Sequence, residues 1–547
     1  MENKDSLTTH YQEKLEGTYD CIDRLVLNAY CLQLVIPAGF RKWFRDLKGS
    51  DKDLNNATLM RLAGRFSRRV NAFCKSNNIP LQYFKSGERK HEAAEALLPK
   101  DKSFTGIFAV FVSRAPNLLW DIKRFDGGGM DIRRKKTLSY VNHFSFHIID
   151  KHWGHITIKM CSHPPFGCQI MLNGHEWVEN RKEIKELEVV KEGNCFTSYS
   201  KGDALSKVAE TIKRKGRLEN VCNRWIYRCL WFGLDADQQK RTGFHYQYSV
   251  YQVEYSRNLL FQRGTKLDEV YQNIIDLTRG KLDIARLKTI FGRKNRPYNR
   301  KSKTCGFEVR IERPDYNMTI FKIHFGKLTV KLYDKGERTL RAEVVVHNAK
   351  ALKCKRSISE FAEIIKKLQI IMNSFMNNLL HAHVSVLNDG SLSNLVIPSK
   401  KGKSRLAGVD INKQRNQAIM ETVLALSMQP GGYVIGDVAE KMKGMVGNRY
   451  GKYTNRKAAY DIKKLRGKKL VRKLKGTNRY TTTTKGIETI TAILVLVQKQ
   501  LPAVLAAINK ESISNNPEEL SLLDSHYLNI RKEVKQINQI MGIKLVA

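Results

Sequence analysis

The C-terminal part of the chain carries the feature that most constrains its fold, an ordered run of helical and β-rich patterns. Apolar residues recur at helical spacing in "NQAIMETVLALS", "IGDVAEKMKGMV" and "TNRKAAYDIKKLRGKKL", and Thr454 can cap the third of these segments. Two β-rich runs around a "GTN" turn follow, and then the apolar segment "KGIETITAILVLVQKQL". The sequence therefore predicts helix, helix, helix, hairpin and helix in this part of the chain.

This order of elements resembles the winged helix-turn-helix domains of bacterial regulators over residues 410–501. The resemblance implies that the third helix enters a groove of a duplex, with Ala458, Ile462 and Leu465 packed inward. The side chains expected to face nucleic acid are Asn455, Arg456, Lys457, Tyr460, Lys463 and Lys464 on the helix, and Lys475 and Arg479 on the wing. A winged helix that docks a protein or is merely structural is the alternative.

The charge of the chain points to a polyanionic partner. Lys and Arg number 96 against 53 Asp and Glu, which leaves a net charge of +43, and residues 449–479 hold thirteen basic residues and one acid, Asp461. A compact body with such an excess repels itself unless a polyanion screens it, so DNA duplex or structured RNA is the predicted partner. Two basic breaks, Gly292–Lys303 and Ile397–Arg405, are predicted to be linkers or phosphate-contacting loops. They add four predicted contact residues, Arg293, Lys294, Lys400 and Lys401.

Membrane association and disulfide bonding are not expected. The segment "MENKDSLTTHYQEK" lacks the apolar core of a signal peptide, and runs such as "AILVLV" fall far short of the roughly 20 residues that span a bilayer. The charge is spread over the whole chain, which disfavours a peripheral membrane helix. The ten cysteines form no Cys-x-x-Cys pair. We expect a soluble cytoplasmic protein with reduced thiols, and no feature of the sequence sets an oligomeric state.

The remaining patterns predict an α+β multidomain protein. Residues 1–180 combine an α/β layer that has some parallel strands with His-rich antiparallel strands, "HFSFHIID", "GHITIKM" and "CQIMLNG". Residues 181–291 are predicted to be a helical middle, including "VYQVEYSRNLLF" and "DEVYQNIIDL". A β-meander closed by a helix occupies residues 304–396, and residues 406–547 hold the winged helix and further C-terminal helices.

The motif "LNGHEW" supplies one candidate catalytic site. Asn173-Gly174 is typical of a tight turn, which would leave His175 and Glu176 near a strand edge. With Asp150 they form a candidate set for Mg²⁺ or Mn²⁺ in a metal-dependent nuclease, where His175 is a base or a ligand. The structural alternative is that His175 and Glu176 satisfy backbone groups at the end of the strand.

A second carboxylate set combines Asp20 and Asp23 on the first strand with Glu88, Glu92 and Glu95 on the helical segment "GERKHEAAE". A solvated helix face is the alternative for the three glutamates. A nuclease predicts that such carboxylates converge with His175 in one cleft. A regulator, replication initiator or ribonucleoprotein scaffold without chemistry predicts that they are dispersed or paired with Arg and Lys.

Two further motifs receive structural interpretations. Cys161, His163, Cys168 and His175 are ligand types that zinc prefers, but their spacing matches no familiar knuckle, so structural zinc is not expected. The run "KLYDKGERTLRAE" resembles a strand-turn-strand of rolling-circle replication initiators, and "HAH" at residues 381–383 resembles their histidine motif. The two motifs stand in the reverse order here, so Tyr333, Arg341 and Glu343 are predicted to be a cross-strand polar set.

The blocks "DRLVLNAY", "GERKHE", "LNGHEWVENR" and "TNRKAAYDIKKLRGKKLVRKLKGTNRYTTTTKG" together resemble a large group of uncharacterised bacterial proteins. The resemblance runs along most of the chain. It implies the same order of domains and a place among mobile or accessory elements, and it implies no mechanism.

Overall fold

A computed structural model describes residues 5–85, 88, 90–126, 129–276, 309–312, 320–325, 327–335, 337–383, 394–401, 404–427, 432–446, 453–497 and 522–540. The chain forms two compact units. The sheet unit comprises residues 13–268 and 310–372, and the C-terminal unit comprises residues 1–12, 269–309 and 373–547.

The strands and helices are numbered in chain order. The strands are β1 (Leu15–Tyr30), β2 (Leu81–Phe84), β3 (Gly106–Asn117), β4 (Trp120–Arg124), β5 (Met130–Arg134), β6 (Ser139–Asp150), β7 (Gly154–Cys161), β8 (Cys168–Asn173), β9 (Val190–Glu192), β10 (Cys195–Ser198), β11 (Gln247–Phe261), β12 (Val309–Glu312), β13 (Ile320–Phe325), β14 (Leu328–Lys335), β15 (Thr339–Val346), β16 (Ser399–Lys401), β17 (Ser404–Leu406), β18 (Val471–Lys473) and β19 (Tyr480–Thr482). The α-helices are α1 (Ser6–His10), α2 (Pro37–Lys48), α3 (Asn56–Ser76), α4 (Lys90–Ala96), α5 (Gly174–Glu179), α6 (Gly202–Glu210), α7 (Arg217–Leu230), α8 (Ala236–Arg241), α9 (Gly264–Asp276), α10 (Phe361–His383), α11 (Gln414–Leu426), α12 (Ile435–Val446), α13 (Asn455–Gly467), α14 (Thr484–Val495) and α15 (Leu522–Ile540).

The sheet unit is built on one large mixed sheet, which confirms the predicted α+β class. Among the described residues its eleven strands run in the order β12-β13-β14-β15-β11-β1-β8-β7-β6-β3-β2. The pairs from β13 to β3 are antiparallel, and β2 pairs with β3 in parallel. Strands from the predicted segments 1–180, 181–291 and 304–396 thus share one sheet.

The predicted helical middle is wrong for the segment "VYQVEYSRNLLF". These residues belong to β11, a central strand that pairs with β1 on one side and β15 on the other. Most of its side chains are buried on both faces, so the apolar run is nearly continuous and the period of two is hidden. Helices α6, α7, α8 and α9 do form in the same region.

Several elements of the N-terminal half are confirmed. The Asn55 side chain caps α3 by accepting from Thr58 N at 2.9 Å, and the helix buries Leu59, Leu62 and Phe66 against the sheet unit's core. The β6, β7 and β8 strands are consecutive and antiparallel as predicted. Helix α4 begins at Lys90, within the predicted helical segment "GERKHEAAE".

The C-terminal unit contains α11, α12, α13, the β18–β19 hairpin and α14 in the predicted order. The side chains predicted to face inward, Ala458, Ile462 and Leu465, lie in its apolar core. Thr454 Oγ1 accepts from Lys457 N at 3.4 Å and caps α13 as expected.

The basic break at Ile397–Arg405 is not a plain linker, because Ser399–Lys401 and Ser404–Leu406 pair as the hairpin β16–β17. No described helix has both the length and the apolarity that a membrane crossing requires.

Candidate nucleic-acid interface

The "LNGHEW" motif forms a junction between a strand and a helix. Asn173 ends β8, and its Oδ1 accepts from His175 N at 2.9 Å, so it caps α5. A Cβ on Gly174 would lie 1.9 Å from the Ile22 carbonyl oxygen, so glycine is required where α5 meets β1. The motif therefore places His175 in the core and not at an exposed strand edge.

His175 is part of a buried polar cluster on the large sheet. His175 Nδ1 lies 3.0 Å from Asp23 Oδ1, and Arg341 Nη2 contacts the same oxygen. Ser256 Oγ donates to Asp23 Oδ1 at 3.0 Å, and Arg341 Nη1 donates to the Asn194 carbonyl at 2.6 Å. The His175, Asp23 and Arg341 side chains are 0%, 2% and 1% exposed. The sequence did not single out Arg341 as a partner for Asp23.

The electrostatics of this cluster favour a charged Asp23 and a neutral His175. Burial opposes ionisation of Asp23, but Arg341 and His175 outweigh it and lower the pKa of Asp23 to about 2. Burial lowers the pKa of His175 in spite of Asp23. His175 Nε2 has no hydrogen-bond partner among the described residues. The Asp23–Arg341 ion pair therefore links β1 to β15 across the intervening β11.

Asp150 does not join His175 as the sequence predicted. Its Oδ1 accepts from His152 N at 2.8 Å and Trp153 N at 3.0 Å in the β6–β7 turn. Its Oδ2 accepts from Trp225 Nε1 at 2.7 Å and lies 3.1 Å from Arg224 Nε. These bonds hold α7 against the turn, and they occupy both carboxylate oxygens.

Glu176 also has a separate partner, because Lys191 Nζ lies 2.5 Å from its Oε1. In the second predicted set Glu88 accepts from Lys85 N at 2.7 Å, Glu92 lies on α4, and Asp23 pairs with Arg341. Within the part of the chain that the structure describes, no three His, Cys, Asp or Glu side chains are grouped so that they could hold a metal ion. Asp150, His175 and Glu176 thus each have separate partners, and the Mg²⁺ or Mn²⁺ site stays a prediction from the sequence.

The zinc-type residues have separate surroundings. Asn117 Nδ2 donates to Cys161 Sγ at 3.2 Å, and His163 Nδ1 lies 2.8 Å from the Pro164 carbonyl. Cys168 is a buried free thiol.

On β14 and β15, Tyr333 stands opposite Arg341, and Lys331 Nζ lies 2.9 Å from Glu343 Oε2. The predicted cross-strand polar set at Tyr333, Arg341 and Glu343 is thus confirmed.

The strongest one-sided charge among the described residues of the C-terminal unit follows α13 and the β18–β19 hairpin. The exposed or half-buried basic residues there, which together form what we call the α13 face, are Arg456, Lys457, Lys463, Arg466, Lys468, Lys469, Arg472, Lys473, Lys475 and Arg479. Asn455 is exposed, and Tyr460 is 47% exposed on the same helix. Six predicted contact residues (Asn455, Arg456, Lys457, Tyr460, Lys463 and Lys475) are therefore accessible.

The one acid in this stretch does not reach the surface. Asp461 is 3% exposed, and Arg415 holds both of its oxygens with Nη2 at 3.0 Å while Tyr453 Oη donates at 2.7 Å. Arg415 was not predicted, and an acid on the apolar side of a helix was the signal that a buried cation was needed. Because Asp461 is buried and neutralised, the accessible charge of α13 is entirely positive.

Two predicted contact residues are partly engaged within the C-terminal unit, and their contact with nucleic acid stays a prediction. Lys464 is 9% exposed because it follows the buried side of α13, and burial lowers the pKa of its amine despite the nearby Asp461. Arg479 Nη1 donates to the Gly432 carbonyl at 2.6 Å, so this guanidinium braces the hairpin within the unit.

The remaining predicted contacts lie in the two basic breaks. Lys400 is exposed on β16 and stands opposite Arg405. Lys401 ends β16, but its side chain is outside the described set. A Cβ on Gly467 would lie 2.4 Å from Ser399 Oγ, so the β16–β17 hairpin lies against the end of α13. Arg293 and Lys294 fall outside the described residues.

Comparisons with known proteins return no match to any family model, any curated protein or any solved structure.

Proposed function

We propose that this chain is a nucleic-acid-binding protein that grips a duplex, either DNA or structured RNA, with a winged helix in its C-terminal unit. In this proposal α13 is the groove-facing helix and the β18–β19 hairpin is the wing. The β16–β17 hairpin adds Lys400 beside the end of α13, where it can reach a flanking phosphate.

The observation that carries the proposal is the unmixed sign of the accessible charge. Surface helices ordinarily alternate acids and bases, which makes them soluble without a partner. Here the acid of α13, Asp461, is buried against Arg415, whereas Arg456, Lys457 and Lys463 remain accessible. Asn455 and Tyr460 share the helix with them, and side chains of these types bind base edges and phosphates.

The proposal includes no catalytic step. Asp23, Asp150 and Glu176 pair with Arg341, Arg224 and Lys191 respectively. Carboxylates dispersed in this way match the expectation for a binding protein without chemistry, such as a regulator, replication initiator or ribonucleoprotein scaffold. A place in a mobile element stays a prediction from the resemblance.

The test is duplex binding by the full chain and a double variant, Arg456→Ala with Lys463→Ala. Both side chains lie on the accessible side of α13, so we expect the affinity at about 0.15 M salt to fall by roughly tenfold or more. The matched control, Lys102→Ala with Lys532→Ala, removes the same charge at exposed positions that belong to neither α13 nor the β18–β19 hairpin, and it should bind like the unchanged chain. Equal losses in both variants would show that total charge, and not the α13 face, drives binding.

A further inference from the structure

A second basic face lies in the sheet unit, on α3. The helix "NATLMRLAGRFSRRVNAFCKS" contains five basic residues and no acid. Its basic residues are Arg61, Arg65, Arg68, Arg69 and Lys75. At 100° per residue they occupy one stripe, opposite the buried stripe that includes Leu59, Phe66 and Val70. Arg61 and Arg68 are exposed.

An exposed tryptophan is fixed beside this stripe. Trp231 directly follows α7 and is 48% exposed, and the Arg69 guanidinium lies 5.1 Å from the centre of its ring. Arg69 Nη1 donates to the Trp231 carbonyl at 3.2 Å, and Arg65 Nη2 donates to the Gly233 carbonyl at 2.6 Å. Two arginines of α3 therefore hold the backbone and one side of the ring in place.

Acidic side chains neutralise the basic stripe of α3 only weakly. Asp235 lies 3.8 Å from Arg69 Nη2, and both side chains are about one-third exposed. The Asp235 side chain also caps α8 by accepting a hydrogen bond from Gln238 N at 3.0 Å. Arg61 donates to Thr58 Oγ1 at 2.7 Å, a neutral partner that leaves the cation uncompensated. The stripe thus keeps its positive charge next to a large exposed aromatic ring.

We infer that Trp231 and the α3 arginines form a binding site for single-stranded nucleic acid. An unpaired base can stack on the exposed indole, and Arg61 and Arg68 can contact the phosphates on either side of it. Bases inside a duplex are already stacked on their neighbours, so a protruding tryptophan beside arginines selects a strand with free bases. This site lies in a different unit from the α13 face, and it stands whether or not α13 binds a duplex.

The test uses the full chain, a labelled 12-nucleotide oligothymidylate and the matching oligouridylate. We expect Trp231→Ala to weaken binding of both oligonucleotides by roughly tenfold, and Trp231→Phe to recover part of that loss because a smaller ring still stacks. Preference for one of the two probes would distinguish DNA from RNA. The matched control is Tyr140→Ala, which removes another exposed aromatic ring of the sheet unit.

The phosphate contacts have a separate readout. In the Arg61→Ala, Arg68→Ala variant, the slope of log affinity against log salt concentration for the oligonucleotides should be shallower by about 1.4, because each phosphate contact on a single strand contributes about 0.7. The variant Arg456→Ala with Lys463→Ala should leave oligonucleotide binding unchanged, so a failure of the duplex proposal is distinguishable from a failure here. Unchanged oligonucleotide binding by the Trp231→Ala chain would overturn the inference. An equal loss of duplex binding would assign the site to duplexes or to general charge instead.

Discussion

Removing Arg341 should destabilise the sheet unit more than any surface change, because it would leave Asp23 as an uncompensated buried anion. In the Arg341→Met chain, Asp23 would retain only His175 and Ser256 as partners. Breaking one side of a buried ion pair costs about 3–5 kcal/mol. The variant also lacks the 2.6 Å hydrogen bond to the Asn194 carbonyl, which lowers the free energy of unfolding by about 1 kcal/mol more.

The double variant Asp23→Asn with Arg341→Met separates the ion pair from packing. Each single change leaves one buried charge alone, whereas the double change removes both charges. We therefore expect the double variant to cost about 2–3 kcal/mol less than the sum of the two single variants.

Tryptophan fluorescence during urea unfolding measures these effects selectively. All six tryptophans of the chain lie between residues 43 and 231, which belong to the sheet unit. The midpoint urea concentration should fall sharply in both single variants and recover part of that loss in the double variant. Single-variant losses below about 1 kcal/mol, or strict additivity, would refute the reasoning.

Acid adds a further check on the same pair. Because the folded pKa of Asp23 is about 2, below its ordinary value of 3.8, its contribution is present above about pH 4 and is lost as the pH falls toward 2. The shift corresponds to about 2 kcal/mol of folding free energy. In the Asp23→Asn chain this part of the acid sensitivity should be missing.

Three more outcomes are expected. Burial lowers the pKa of His143 to about 4 and of His147 to about 3, so both side chains stay neutral in the folded protein at pH values where the unfolded chain takes up protons. The free energy of unfolding should therefore be highest above about pH 6.5 and should fall by about 2 kcal/mol per histidine by pH 5, as measured by urea unfolding. A flat pH profile, or one that His147→Gln does not make shallower, would contradict this. Gly174→Ala should lower the urea midpoint strongly because its Cβ would strike a carbonyl oxygen of β1, whereas Gly167→Ala, with no atom within 4 Å, should be tolerated; equal midpoints would refute the requirement for glycine. Incubation of the purified protein with Mn²⁺ and DNA or RNA tests the nuclease hypothesis: if Glu176 serves only as the partner of Lys191, Glu176→Gln should not change any cleavage that is seen; cleavage that Glu176→Gln abolishes would assign Glu176 to a catalytic site.

Local patterns were sufficient to predict the C-terminal elements. Thr454, the spacing of Ala458, Ile462 and Leu465, and the turn before β19 act within a few residues of each other, so their consequences can be derived from the sequence. The same reasoning misassigned β11, because a strand that is covered on both faces has no alternation to detect.

The buried cluster depended on strand order, which no local pattern encodes. Asp23 and Arg341 are brought together by the register of β1 with β11 and of β11 with β15. A warning signal existed in "TLRAEVVV", where an arginine interrupts a strand that is buried throughout and therefore requires an anionic partner. The sequence alone could not identify Asp23 as that partner, because it left open whether Asp23 binds a metal ion or pairs with a cation.

The salt dependence of duplex binding tests the central proposal most directly. The affinity of the full chain for a 20-base-pair duplex should be measured from 0.05 to 0.4 M KCl, together with the Arg456→Ala, Lys463→Ala variant. We predict a log–log slope of about −5 or steeper for the unchanged chain, and a slope shallower by about 1.8 for the variant, because each phosphate contact contributes about 0.9. Absence of binding at 0.05 M KCl, or identical slopes for the two chains, would contradict the assignment of the α13 face as the duplex-binding surface.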